Sequence, residues 1–269
     1  MSSTPQVSPP VVAERMRVWL SSARGPSGAW GYRPGDVECL EPTLLAVAAG
    51  APAPRDWIER AEPDWACLLA PAVLWPREPD LCKRSTDWIL APTSKKNESA
   101  NRYFDAVTPA WGWVPGTAAW VEPTSYAILS LRRTGRAPER RQNGVKMLLG
   151  RQGDDGGWNY GNPRMLESAL PSDPAPTAWA LLALADEGAP AGAVDRAFAY
   201  LEVLHQRPSS LALALAILAA RRHRHPYTGW LDLLTARLTG DHCRDRVDWT
   251  ALVSLALDPN PVGGDDVFG

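Results

Sequence analysis

The sequence predicts an all-helical protein in which fully buried helices alternate with half-buried ones, and three observations carry that expectation. One grammar recurs in "GAWGYRPGDVECLEPTLLAVAAG" (28–50), "AWGWVPGTAAWVEPTSYAILSLRRTG" (110–135) and "DGGWNYGNPRMLESALPSDPAPTAWALLALADEG" (155–188): glycine and tryptophan, a loop of variable length, then Pro-Thr opening an apolar run. The runs themselves, "LLAVAA", "SYAILSL" and "AWALLALA", are apolar or small on nearly every helical face, the pattern of a helix buried all round. Between them lie segments such as "ERRQNGVKMLLG" (139–150), which mix charged and apolar residues at helical spacing.

Each repeat supplies its own start signal. Pro42, Pro123 and Pro176 suit the first helical position, where a missing N–H costs nothing, and Glu41 and Glu122 set negative charge at the positive end of a helix dipole. Ala46, Ala127 and Ala180 follow three residues beyond each Thr. A weaker fourth copy, "DWTALVSLAL" (248–257), keeps Thr250 without the Pro. Inner helices are therefore expected from Glu41, Glu122, Ala175 and Asp248. Outer ones are expected over 11–23, 139–150 and 193–204. Adding the apolar segments at 54–60, 65–75, 81–91, 209–222 and 229–238 gives about twelve helices, and inner-outer alternation closes naturally into a ring. One domain over 10–257 is expected, with flexible ends at 1–9 and 258–269.

Composition narrows the function classes. A formal charge of -2 with interspersed acids and bases leaves no basic footprint for nucleic acid. Cys39, Cys67, Cys82 and Cys243 show neither a CxxC pair nor a framework spacing, which reads as free thiols in a reducing compartment. "MSSTPQVSPP" has no secretory-signal pattern, and the longest wholly apolar run, 211–220, is too short to cross a bilayer. The expected location is cytoplasmic.

The stretch "QGDDGGW" (152–158) fits the Gln-x-x-Asp-Gly-Gly-Trp repeat of squalene-hopene cyclases and related triterpene cyclases. The Pro-Thr-x-x-Ala helices are similar to the inner helices of that superfamily, which includes the β subunits of protein prenyltransferases. The resemblance spans about 19–257 and implies an (α/α)6 toroid, with Gln152 tying neighbouring helices and Trp158 stacking on them. The corresponding turns, placed at Trp30 and Trp113, lack the Gln. Asp154 and Asp155 then read as turn acids rather than a catalytic pair, since Gly156 and Gly157 supply unusual backbone angles and the carboxylates can satisfy turn amides.

Chemistry is sparser than architecture. Class II terpene cyclases protonate an alkene from an Asp-x-Asp-Asp-Thr-Ala segment; here that segment is "DPAPTA" (173–178), with Ala175 at the donor position and Pro176 at the next acid. Standard initiation is not expected. Asp173 and Glu122, each at the mouth of a buried helix, are the candidate catalytic acids, with cap and dipole stabilisation as the alternative role. Prenyltransferases hold zinc with Asp-x-Cys and a later His; Asp241 and Cys243 reproduce the pair, but no His follows His242, so no metal or cofactor is expected. His223 and His225 in "RRHRHPY" read as dipole-stabilising cations at a helix end, and His205 likewise. Trp111, Trp113, Trp120 and Tyr126, close to Glu122, together with Trp179 on the next Pro-Thr helix, are the candidate walls of an isoprenoid cavity. The polar connector 92–109 is a candidate lid. The expected function is isoprenoid or polyprenyl binding in a cyclase-like toroid. A non-catalytic toroid for a lipid or protein partner, and a glycan-active (α/α)6 enzyme using a carboxylate pair, are the alternatives.

Overall fold

A computed structural model describes residues 8–91, 109–166, 168–203, 208–238, 245–258 and 268. Helix dominates, with twelve α-helices among the described residues. In sequence order they are α1 (Pro9–Ser22), α2 (Leu40–Ala48), α3 (Arg55–Arg60), α4 (Ala70–Leu74), α5 (Cys82–Leu90) and α6 (Val121–Thr134), followed by α7 (Pro138–Gly150), α8 (Pro174–Leu184), α9 (Ala191–Val203), α10 (Ser210–His223), α11 (Thr228–Arg237) and α12 (Val247–Leu257). No described helix is long and apolar enough to cross a membrane.

The protein forms two compact units, one of Met1–Ala61 with Ser209–Val267 and one of Glu62–Pro208 with Phe268–Gly269. In the first, α12 packs between α2 and α10, and α1 and α11 lie against that row. In the second, α6 packs between α4 and α8, with α5, α7 and α9 on the flanks. The even-numbered helices are thus the inner row of each unit. Their sequences explain this: α8 buries every residue from Pro176 to Leu184, and α12 every described residue but Trp249. The odd-numbered helices bury one stripe each, as α7 does with Gly144, Val145, Met147 and Leu148.

The repeat grammar is a hydrogen-bonded clasp. In its three complete copies a tryptophan N–H donates to the Oγ1 of the Pro-Thr threonine: Trp30 to Thr43 at 3.0 Å, Trp111 to Thr124 at 3.2 Å and Trp158 to Thr177 at 2.8 Å. The same tryptophan's carbonyl accepts the N–H of the helix N-cap residue, Cys39, Trp120 or Asp173. Its indole Nε1 donates to a carbonyl near the end of the preceding outer helix, Leu20, Ile89 or Leu148. One residue therefore joins an outer helix, a turn and an inner helix, and all its polar atoms are satisfied in the core. The clasp tryptophan of the second copy is Trp111. The register that placed Trp113 there is corrected: Trp113 occupies the position of Tyr32 and Tyr160, two residues beyond.

The prolines also sit differently from expectation. The inner helices begin two residues before each Pro, so Pro42, Pro123 and Pro176 are third helical residues. This costs no bond, because the first four N–H groups of a helix have no intrahelical acceptor. The fourth copy keeps part of the pattern, with Thr250 Oγ1 donating to the carbonyl of its N-cap, Arg246, at 2.6 Å.

Arginines close the other ends of the inner helices. Arg132 of α6 donates to the carbonyls of Leu182, Ala183 and Ala185 at the end of α8, and Arg133 donates to that of Trp75 at the end of α4. In the other unit Arg221 of α10 donates to Leu255, Ala256 and Asp258 at the end of α12. Within "RRHRHPY" the arginine thus caps a neighbouring helix as well as ending its own. The segment 65–75, expected as one helix, is a 3-10 turn (Trp65–Leu68) followed by α4. Ser130 enters the break, donating to Leu68 O at 2.6 Å and accepting from Ala72 N at 3.0 Å. In the expected tail, two described residues have fixed partners: Asp258 pairs with Arg17 at 2.8 Å, and Phe268 is buried against Trp179.

Candidate functional site

The third repeat differs from the others in the length of its loop. Residues 31–38 and 112–119 separate tryptophan from N-cap in the first two copies, whereas 159–172 do so in the third. The added residues form an antiparallel pair, β1 (Arg164–Met165) with β2 (Ser168–Ala169). Between this loop and the second repeat opens an apolar cavity of about 570 Å³. Trp120 and Tyr160 are its aromatic walls and Met165, Leu170 and Pro171 its aliphatic ones; Ala118, Ala119 and Gly161 lie beside them, and Arg151, Asn159, Asn162 and Arg164 also line it. That volume lies within the range of small-molecule sites, on the order of 300–1,000 Å³.

The cavity is held in shape by hydrogen bonds from residues of its own lining. Arg151, at the end of α7, donates from Nη1 to Ala119 O at 2.6 Å and fixes the loop leading into Trp120. Tyr160 O accepts the N–H of Val121 at 2.9 Å, pinning the loop to the start of α6. Asn159 shapes the turn by accepting from Gly161 N and donating to Asn162 O, both at 2.8 Å. Gly161 lies under the Trp120 ring, and a Cβ there would meet it at 3.3 Å. Trp120 and Tyr160 remain 38% and 45% exposed, so both rings can accept an apolar ligand.

Two carboxylates stand beside this wall. Burial pushes the Glu122 carboxyl up to about 7; a hydrogen bond from Tyr126 opposes the shift and the charge of Asp173 adds to it. Asp173 caps α8, its Oδ1 accepting from Ala175 N at 3.0 Å. Burial also raises Tyr160, with the charges of Asp173 and Glu122 adding to the effect, so the cavity wall and both acids form one electrostatic group. A carboxyl that titrates near neutrality can both give and take a proton.

The other aromatic residues form a separate row. Trp113 meets Trp65 edge-on at 4.7 Å between ring centroids, Trp65 stacks on Tyr126 at 6.1 Å, and Tyr126 meets Trp179 edge-on at 4.8 Å. Phe268 ends the row, edge-on to Trp179 at 5.5 Å. Of the expected wall residues, then, Trp113, Tyr126 and Trp179 share this row and Trp120 lines the cavity. Trp111 is the buried clasp ring, with the Arg140 guanidinium 5.4 Å from its centre. Tyr160, Met165, Leu170 and Pro171 were not expected. The signal that could have found them is the extra length of the third loop and its apolar residues.

The adjacent acids Asp154 and Asp155 are turn residues. Asp155 accepts from Ser172 Oγ at 2.6 Å, Ser172 N at 3.1 Å and Gly157 N at 3.2 Å. Asp154 faces Arg164 at 3.6 Å on the surface. Gly156 has φ +90°, and a Cβ there would lie 2.6 Å from Arg196 O. Gln152 donates to Gly156 O and to Ala193 O of α9, both at 2.8 Å, and accepts from Arg196 at 2.5 Å. It ties the end of α7 to α9.

Among the described residues no cluster of His, Cys, Asp and Glu has the arrangement of a metal site; Asp241, His242 and Cys243 lie outside them, as do His205 and 92–108. His225 stacks on Trp230 at 6.2 Å. No protein-family model matches the sequence, and no curated protein matches it.

Proposed function

We propose that this protein is a squalene-cyclase-like or prenyltransferase-like helical-repeat protein that binds an isoprenoid-type hydrocarbon in the Trp120–Tyr160 cavity. The observation that carries the reading is the cavity: about 570 Å³, walled by two half-open aromatic rings and by aliphatic side chains, with Arg151, Arg164, Asn159 and Asn162 also on its lining. Aromatic faces pack hydrocarbon, and covering apolar surface gains roughly 25 cal/mol per Å² without any catalytic residue. An (α/α)6 toroid is the architecture we propose for the whole molecule. Its support is the inner-outer alternation within each unit and the clasp that repeats in both. Incubation with farnesol, geranylgeraniol, their diphosphates and squalene, followed by native mass spectrometry, tests the reading. A one-to-one complex supports it, and the absence of any complex across the panel overturns it.

A catalytic reading has one specific observation behind it, the Glu122 carboxyl near 7 beside Asp173. In that reading Glu122 transfers a proton to or from a ligand in the cavity, and Ala175 stands where standard cyclase chemistry needs an acid. Product formation that disappears in Glu122→Gln with ligand affinity unchanged supports it. A bound ligand recovered unaltered assigns the protein to binding.

A further inference from the structure

The Trp120 cavity does not use the far end of the aromatic row. Trp179, on α8, is 2% exposed, with Tyr126 edge-on at one side and Phe268 edge-on at the other. Phe268 is the next-to-last residue of the sequence and is 3% exposed. Its carbonyl accepts from Arg132 Nη2 at 2.9 Å. The same guanidinium is fixed independently by the three carbonyls at the end of α8, and the Glu187 carboxylate lies 3.8 Å from it. Glu187 is itself paired with Arg141 at 3.1 Å.

The parts of the seat named here lie on α6, α8 and the turn after α8, and each of them has partners other than the residue it receives. The occupant is distant in sequence, 136 residues beyond Arg132. An edge-on aromatic contact beside a charged donor to the backbone selects an aromatic side chain together with the carbonyl attached to it.

We propose that Trp179, Tyr126 and Arg132 form a receptor site for an aromatic residue together with its backbone carbonyl, and that the protein's own Phe268 is its occupant. The site recognises a ring and its carbonyl, and a peptide carrying the same residues competes for it. While Phe268 is seated, that face of Trp179 is closed to other apolar ligands. This goes beyond hydrocarbon binding at Trp120 and does not depend on it.

The test uses the full-length Phe268→Ala variant and a synthetic peptide of residues 262–269, with a second peptide carrying Ala in place of Phe268. Far-UV circular dichroism reports folding, and titration calorimetry reports binding. The variant is expected to keep its fold and to bind the native peptide saturably, about tenfold or more tighter than the Ala peptide, as expected when a buried aromatic anchor is restored. Wild-type protein is expected to bind neither, because Phe268 fills the site. Unfolding of the variant would make Phe268 a core residue and overturn the proposal. So would absence of peptide binding, equal binding of the two peptides, or equal binding by wild type and variant. A wild-type dimer that Phe268→Ala dissociates would assign the occupant to a second copy and overturn the intramolecular form. Peptide binding at Trp179 and hydrocarbon binding at Trp120 are read separately, so either can fail alone.

Discussion

Replacing Thr177 with Val removes one hydroxyl from a clasp and leaves its shape. The Oγ1 accepts from Trp158 N at 2.8 Å and donates to the carbonyls of Asp173 at 2.7 Å and Trp158 at 3.2 Å. Neither carbonyl is orphaned by the change, because Trp158 O still accepts Asp173 N at 2.8 Å and Asp173 O still accepts Thr177 N at 3.1 Å. The Trp158 N–H has no such second partner among these bonds, and both residues are fully buried. The loss is therefore one buried donor without an acceptor, worth about 1–3 kcal/mol. Val keeps the β-branch and nearly the volume, so no cavity term is added. Urea denaturation should show a lower midpoint at unchanged slope, the signature of lost stability without a changed unfolded state. Thr43→Val and Thr124→Val should cost about the same, since Trp30 O and Trp111 O keep the N–H groups of Cys39 and Trp120. Losses below about 0.5 kcal/mol at all three sites would refute the clasp as the element that the repeat encodes.

Three further outcomes are expected. Trp158→Ala should cost ~3–5 kcal/mol, because it empties a fully buried indole site and removes one of the two hydrogen bonds to Leu148 O; calorimetric melting measures it, and a loss under about 1.5 kcal/mol would contradict the packing. Asp155→Asn should cost ~0.5–2 kcal/mol while Asp154→Asn costs almost nothing. Burial alone would raise the Asp155 carboxyl, but hydrogen bonds from Ser172 and Gly157 outweigh it and hold it below the usual range. The stabilisation from Asp155 is thus present above its unfolded pKa of about 4 and is lost as pH falls through the lower folded value, so the difference between wild type and variant should shrink in acid. Glu122 has the opposite sign: its folded value is raised to about 7, the fold holds the extra proton, and stability falls as pH rises from about 4 to 7. Glu122→Gln should therefore be more stable than wild type at pH 8, and the gap should close near pH 4. A pH-independent gap would show that Glu122 is not held protonated by the fold.

The architecture was legible because its signals are local. Pro-Thr followed by an apolar run marks α2, α6 and α8 whatever surrounds them, and charged stripes mark α1, α7 and α9. The two-residue offset at the prolines arose because a missing N–H is tolerated throughout the first turn, which the residue itself does not distinguish. Trp113 displaced Trp111 in the alignment because both follow small residues or precede a Gly-rich turn, and the deciding bond, to Thr124 Oγ1, is a feature of geometry. The cavity was half legible. Trp120 stood out as an aromatic beside an acid, but Tyr160 and Leu170 belong to a loop whose fold depends on Asn159 and on the β1–β2 pair. The seating of Phe268 joins residues far apart in the sequence and left no periodic trace.

Hydrocarbon binding against Trp120 is tested most directly by farnesol titration of wild type, Trp120→Ala and Trp249→Ala, since Trp249 is an equally exposed tryptophan, at 38%, in the other unit. Taking a tryptophan at about 250 Å², the open 38% is ~95 Å², and full coverage at ~25 cal/mol per Å² sets a ceiling of ~2.4 kcal/mol, roughly 50-fold in Kd. With partial coverage, Trp120→Ala should weaken binding about tenfold while Trp249→Ala leaves it unchanged. Equal affinity of all three proteins, or a loss confined to Trp249→Ala, would contradict the assignment of the site.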